Sequence, residues 1–109
     1  MKEAQIYITL WQKYKPAIIS KMRLAINEPQ EYQLSKHEFE AIGERLNSGY
    51  SFNLEINKGI LVNNIDGTAV ARDLLEVLKH SNVANELMHD HHYKFNVNSD
   101  FKLKIQLIK

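Results

Sequence analysis

A single cluster of metal-capable side chains stands out in the sequence, His89-Asp90-His91-His92. Imidazole nitrogens and a carboxylate can bind Zn²⁺ or Ni²⁺, and His89 and His91 would point to the same side of an extended strand. A metal site needs three or four converging ligands, however, and the other two histidines lie far away along the chain. We therefore expect a solvated segment that leads into a strand, with no metal and no other cofactor. His89, His91 and His92 are the candidate ligands of a metal-binding alternative.

Nothing else in the sequence is typical of an active site. The chain has no Cys, so thiol nucleophiles, thiolate metal sites and disulfides are excluded, and its four Gly are too scattered to form a phosphate-binding loop. His37, Glu40 and Glu44 share one face of a predicted helix, but this face lies opposite the apolar one, where charged residues are usually solvated. An acid–base site needs only two residues, so a small enzyme remains an alternative to a non-catalytic protein.

Several segments of the chain carry apolar residues at the spacing of a helix. Apolar residues recur at steps of three and four from Tyr7 to Ala25, which predicts one helix that kinks at Pro16. Ser35 and Glu38 form a capping box, in which each side chain satisfies a free backbone amide at the start of a second helix. The same reasoning predicts four helices in all, over residues 7–25, 35–48, 69–80 and 83–88.

Alternating apolar and polar residues predict two hairpins. In the first, residues 50–56 alternate as in a strand with one buried face, and residues 57–59 form the turn. Residues 60–62 (Ile-Leu-Val) then return as a shorter strand that we expect to be more fully buried. The second hairpin joins residues 93–97 to residues 101–107 through a polar turn.

The order α-α-β-β-α-α-β-β indicates the α+β class, because helices and hairpins follow each other in runs without the alternation of a parallel sheet. With 109 residues the chain is long enough for one domain, residues 1–109, and too short for two separate cores. We predict a four-stranded, mainly antiparallel sheet with three to four helices packed on one face. The strand residues expected to face the helices are Tyr50, Phe52, Leu54, Ile56, Phe95, Val97, Leu103 and Ile105, and the helix residues expected to cover them are Trp11, Ile18, Phe39, Leu74 and Leu78.

The two predicted hairpins open on similar sequences. Residues 50–54 (Tyr-Ser-Phe-Asn-Leu) match residues 93–97 (Tyr-Lys-Phe-Asn-Val) at an offset of 43 residues. Duplication of a helix–hairpin unit explains this match, but so does the general preference of half-buried strands for aromatic and β-branched residues. The turns that follow do not align, so both explanations stay open.

Charge is small in total but unevenly distributed. The formal net charge is +1, with five basic and one acidic residue in residues 1–27 against two basic and six acidic in residues 28–57. A basic first helix with aromatic neighbours would bind nucleic acid through phosphates and stacking, yet those aromatics lie on the apolar stripe and are expected to be buried. Nucleic-acid binding is therefore a second alternative. No apolar run is long enough to span a bilayer, so we expect a cytoplasmic protein without a membrane partner.

By elimination, the sequence favours a small intracellular interaction module that binds a protein partner or forms a homodimer. Two surfaces are candidates for the contact. One is the first helix, with Tyr7, Trp11 and Tyr14, because aromatic residues are enriched at interface cores. The other is the final strand, which we expect at an edge of the sheet, where Lys102 and Lys104 either border the contact or protect unpaired backbone.

Overall fold

The computed structural model describes residues 2–37, 52–63, 68–97 and 102–108. The predicted second helix beyond His37, with Phe39, and the predicted strand residue Tyr50 lie outside the described residues. Numbered in chain order, the described helices and strands are α1 (Lys2–Leu24), β1 (Gln30–Gln33), β2 (Phe52–Asn57), β3 (Ile60–Asn63), α2 (Thr68–Lys79), α3 (Asn82–Asp90), β4 (His92–Val97) and β5 (Lys102–Leu107).

The five described strands form one sheet in the order β1-β5-β4-β2-β3, and every neighbouring pair is antiparallel. Helix α1 contacts α2 and α3 and lies against β1 and β5, while α2 and α3 lie against β2. The α+β class is therefore confirmed.

The prediction of four strands is wrong, because β1 adds a fifth and changes the order of elements. The sequence of β1 is Gln-Glu-Tyr-Gln, and one apolar residue in four gives no alternating pattern. Contacts with β5 and α1 determine where β1 lies in the sheet. Tyr32 pairs with Leu103 of β5, and its ring centroid lies 5.4 Å from that of Tyr14 on α1. These partners are distant in sequence, so no local pattern could indicate them.

The first helix is continuous from Lys2 to Leu24 with Pro16 inside it, as predicted for a single helix. Pro16 is exposed, so the proline ring lies on the side of the helix that faces away from the core. The apolar stripe faces the core, and its buried members are Trp11, Tyr14, Ile18, Met22 and Ala25.

The predicted core is confirmed wherever the structure describes its side chains. Alternate residues of β4 and β5 are buried, so the helices cover one face of the sheet and polar side chains occupy the other. The side chains of Tyr7 and Phe52 lie outside the described residues. The predicted residues found buried are Leu54, Ile56, Phe95, Val97, Leu103 and Ile105 on the strands and Trp11, Ile18, Leu74 and Leu78 on the helices.

A buried hydrogen bond ties α1 to β4. The Tyr93 hydroxyl donates to the carbonyl oxygen of Met22 at 2.7 Å, and both side chains are fully buried. This carbonyl belongs to the last turn of α1, where backbone oxygens have no partner within the helix. Burial raises the pKa of Tyr93 from 10.0 to about 12, because a phenolate would lose its hydration there.

The turn between β2 and β3 consists of Lys58 and Gly59, which confirms the predicted turn at residues 57–59. Both residues have positive φ, 51° for Lys58 and 83° for Gly59. Positive φ at both central positions is the signature of a two-residue type I′ hairpin turn, whose twist matches that of the flanking strands. Among the described residues, no atom lies within 4 Å of the position that a Cβ at Gly59 would take. The constraint on Gly59 is therefore its backbone dihedral angle.

We expect Gly59→Ala to lower the free energy of unfolding by about 1–2 kcal/mol, because a residue with a Cβ is strained in the left-handed region. Lys58→Asn is the matched variant with the opposite expected sign, since Asn tolerates positive φ better than Lys does. Urea unfolding of both variants measures the two effects. Equal stability of the Gly59→Ala variant and the wild type would contradict this turn geometry.

Candidate functional site

The three histidines that are candidate ligands of the metal-binding alternative do not converge. His89 is exposed near the end of α3, and His91 donates from Nδ1 to the carbonyl oxygen of Leu87 at 3.0 Å. His92 begins β4 on the polar face of the sheet, with its Nε2 3.4 Å from Oε1 of Glu55 on β2. In the described part of the chain, no group of three His, Asp or Glu side chains is placed to hold a metal ion.

Two aromatic side chains of α1, Trp11 and Tyr14, belong to the core. Trp11 is 1% exposed and Tyr14 is 6% exposed, and the Tyr14 ring packs against Tyr32 of β1. The side chain of Tyr7 lies outside the described residues. A partner could reach Trp11 or Tyr14 only if α1 left the sheet. Core packing therefore explains the aromatic stripe of α1 better than an interface or base stacking does.

The final strand is an interior strand of the described sheet, so the prediction that it lies at an edge is wrong. Strand β5 pairs with β4 on one side and with β1 on the other. Lys102 and Lys104 lie opposite Gln33 and Glu31 of β1, and Nζ of Lys102 is 3.3 Å from Oε2 of Glu31. Because β1 already pairs with β5, neither lysine borders unpaired strand backbone.

The open edges of the described sheet belong to β1 and β3, and they differ in character. The β1 strand is polar and carries Glu31, whereas β3 reads Ile-Leu-Val-Asn and carries no charge. Ile60 is 65% exposed and Val62 is 52% exposed, although both are apolar and β-branched. An exposed apolar edge offers unpaired backbone groups to a further strand, and the short, bulged form of β3 limits how many backbone bonds can form. The open edge of β3, with Ile60 and Val62, is therefore the candidate site.

Local geometry places these two side chains at the surface. Leu61, which lies between them, pairs with Ile56 of β2 and packs against the core. The next pair joins Asn63 to Glu55, so β3 has one residue more than β2 over this step, which is a β-bulge. The extra residue is Val62. The tight turn before β3 and the bulge within it thus position a short apolar edge.

The prediction that residues 60–62 form a more fully buried strand is wrong for Ile60 and Val62. Consecutive apolar residues are typical of an interior strand that is covered on both faces. Such a run has the same sequence whether its strand lies inside the sheet or at its edge. The strand order decides between the two, and local spacing does not contain the strand order.

A second pair of exposed apolar residues, Leu24 and Ile26, lies where α1 ends. The backbone there is already bonded in turns, since the Ile26 amide donates to Arg23 and the Asn27 amide donates to Leu24. This pair therefore offers apolar side chains without the free extended backbone that β3 offers.

Two hairpins of the sheet, β2–β3 and β4–β5, meet side by side through β2 and β4. Strands β2 and β4 pair with Asn53 opposite Asn96, and these two residues are the equivalent ones of the repeated motif. Hairpin partners β3 and β5 lie on the outer sides of β2 and β4. This pairing agrees with duplication, but two residues separate β2 from β3 and four separate β4 from β5, so duplication and the general strand preference both stay open. Strand β1 lies beside β5, while no described strand lies in the corresponding place beside β3.

The sequence matches no protein-family model and no curated protein, and no solved structure matches the chain. Among the described helices, none is both long and apolar enough to cross a bilayer. Function must therefore be inferred from the geometry of the molecule itself.

Proposed function

We propose that the chain is a small, non-catalytic interaction module that binds an extended protein strand along the open edge of β3. The main support is that β3 lies at an edge of the described sheet and exposes two apolar side chains, Ile60 and Val62. In this mode of binding, backbone groups hydrogen-bond to the added strand and the neighbouring side chains supply contact area. It requires neither a pocket nor a catalytic group.

We expect the affinity to be modest, because the strand is short. Burying Ile60 and Val62 would contribute at most about 1.5–3 kcal/mol each. Each backbone hydrogen bond along the four-residue strand would add about 0.5–1.5 kcal/mol. Association costs about 4–15 kcal/mol in lost freedom of movement. These contributions largely offset one another, so binding should be reversible and micromolar or weaker.

The alternatives have less support in the geometry. Nucleic-acid binding would use a basic surface with exposed aromatic rings, but Trp11 and Tyr14 are buried and Lys102 is paired with Glu31. A metal-binding protein or metalloenzyme would need ligands from the 89–92 cluster to converge. The proposal includes a cytoplasmic setting, which suits a chain without Cys.

Titration of the isotope-labelled chain with a short peptide of alternating Val and Thr tests the proposal by nuclear magnetic resonance. We expect saturable shifts of the amide signals of Ile60–Asn63, because the added strand would bond along this edge. Val62→Lys should weaken binding by at least about tenfold, since it places a charge in the contact. Leu24→Lys is the matched control, because Leu24 is 48% exposed but lies at the end of α1, and it should bind like the wild type.

Three results would count against strand docking at β3. Shifts confined to β1 or to the lysine-bearing face of the sheet would place the site elsewhere. The absence of saturable shifts at millimolar peptide would exclude a useful affinity for strands. Salt-sensitive binding of a single-stranded oligonucleotide, with no peptide binding, would favour the nucleic-acid alternative.

A further inference from the structure

We propose that the strand bound by β3 is β3 of a second copy of this chain. The inference rests on the proposed function and adds the identity of the partner and the register of the contact. Two copies would pair antiparallel about a two-fold axis beside Leu61, and the two sheets would become continuous.

The β3 sequence is complementary to itself in one antiparallel register. When Leu61 lies opposite Leu61 of the second copy, Ile60 lies opposite Val62 of that copy, and Val62 lies opposite its Ile60. Each exposed β-branched side chain then gains a β-branched neighbour across the strands, which is a favourable pair. The strand carries no charge, so no like charges oppose each other.

Polarity favours pairing of β3 with β3 over pairing of β3 with β1. The β1 edge carries Glu31, whose carboxylate already lies 3.3 Å from Nζ of Lys102. Pairing β3 with β1 of another copy would oppose an apolar strand to a polar one. It would also leave one free edge at each end and so build an open filament, whereas two-fold pairing of β3 closes after two copies.

The proposed contact repeats an arrangement that the chain already contains. Inside the chain, β2 and β4 pair antiparallel with Asn53 opposite Asn96. Between copies, β3 would likewise pair antiparallel, and the second copy would take the place beside β3 that β1 takes beside β5. The contact is one four-residue strand from each copy, against about 20–30 residues a side in standard interfaces, so the dimer should dissociate readily.

Sedimentation equilibrium over about 10 µM to 1 mM protein measures this association in the range expected for such a contact. The average mass of the wild type should rise with concentration from 12.7 kDa toward twice that value. Val62→Lys should stay monomeric, because it would oppose a charge to Ile60 of the second copy. Leu24→Lys should associate like the wild type, since it changes an exposed apolar residue outside the contact.

Single cysteines report the register, because the chain contains no Cys of its own. In the Leu61→Cys variant the two sulfurs would face each other, where opposed Cα atoms are about 4.5–5.5 Å apart and a disulfide can form. In the Ile60→Cys variant they would be offset by two residues, about 7 Å along the strands, beyond disulfide reach. Under mild oxidation, Leu61→Cys should therefore form the covalent dimer at least about tenfold faster.

Amide hydrogen exchange of the wild type supplies a readout that needs no substitution. Protection of Ile60–Asn63 should increase with protein concentration, because pairing engages this edge. A constant mass of 12.7 kDa together with concentration-independent exchange would overturn self-pairing. The proposed function would survive that result if the Val–Thr peptide still bound β3. Faster covalent dimer formation by the Ile60→Cys variant would overturn the register.

Discussion

Replacing Trp11 by Ala is expected to lower the free energy of unfolding by about 3–5 kcal/mol. Trp11 is 1% exposed on the inner side of α1 and is among the largest fully buried side chains of the described residues. Removing the indole loses its favourable transfer out of water and leaves a cavity that the surrounding helices can close only in part. Domains of this size are stable by about 5–15 kcal/mol, so the variant should be partly unfolded at 37 °C.

The matched control for this prediction is Gln12→Ala. Gln12 follows Trp11 on the same helix and is exposed, so its replacement should change the free energy of unfolding by no more than about 0.5 kcal/mol. Urea unfolding monitored by circular dichroism measures both variants. A loss of less than about 1 kcal/mol for Trp11→Ala would show that this side chain does not anchor α1 to the sheet.

Alkaline pH is expected to remove the stability that the buried Tyr93 hydroxyl supplies. The pKa of Tyr93 is raised from 10.0 in its ordinary environment to about 12 by burial in the folded chain. The folded state therefore keeps this proton when the unfolded state releases it. The contribution is complete below pH 10 and is lost as the pH rises from 10 to 12, by on the order of 2–3 kcal/mol.

Tyr93→Phe isolates this effect from the titration of other residues. At neutral pH the variant should be about 1–3 kcal/mol less stable, because the Met22 carbonyl oxygen loses a buried donor at 2.7 Å. The difference between the two proteins should shrink above pH 10 and be largely gone by pH 12. Urea unfolding at a series of pH values measures it. A difference that stayed constant up to pH 12 would show that Tyr93 does not titrate with a raised pKa.

The spacing of apolar residues predicts this fold correctly for the helices and strands whose apolar face is buried in the core. The steps of three and four along α1 place Trp11 and Ile18 on one face, and the structure buries both. Alternation of apolar and polar residues likewise predicts that Phe95 of β4 and Leu103 and Ile105 of β5 face the core, and all three are buried. In each case one face of a helix or strand meets the core. The residue spacing within that helix or strand determines which residues share the face, so the sequence of the element is enough to predict it.

Strand order lies beyond such reasoning, and the candidate site depends on it. Two strands of similar composition can lie in the interior or at the edge of a sheet, depending on which strands pair with them. The sequence prediction puts Lys102 on an edge strand, yet β1 pairs with that strand. Ile60 and Val62 follow the pattern of an interior strand, yet β3 is the outermost described strand on its side. The site is thus a product of topology, which arises from contacts between distant segments.

Because β1 pairs with β5, the described sheet can be completed only after its last strand has been synthesised. Gln30 lies opposite Ile105, and the three interior strands of the described sheet include β4 and β5, which are synthesised last among the strands. Until these strands leave the ribosome, Trp11 and Ile18 of α1 have no sheet to cover them. At about 5–20 residues per second, the delay between β1 and β5 is roughly 4–15 s. During that interval the apolar face of α1 lacks its contact with the completed sheet, and we expect chaperones at the ribosome to bind it.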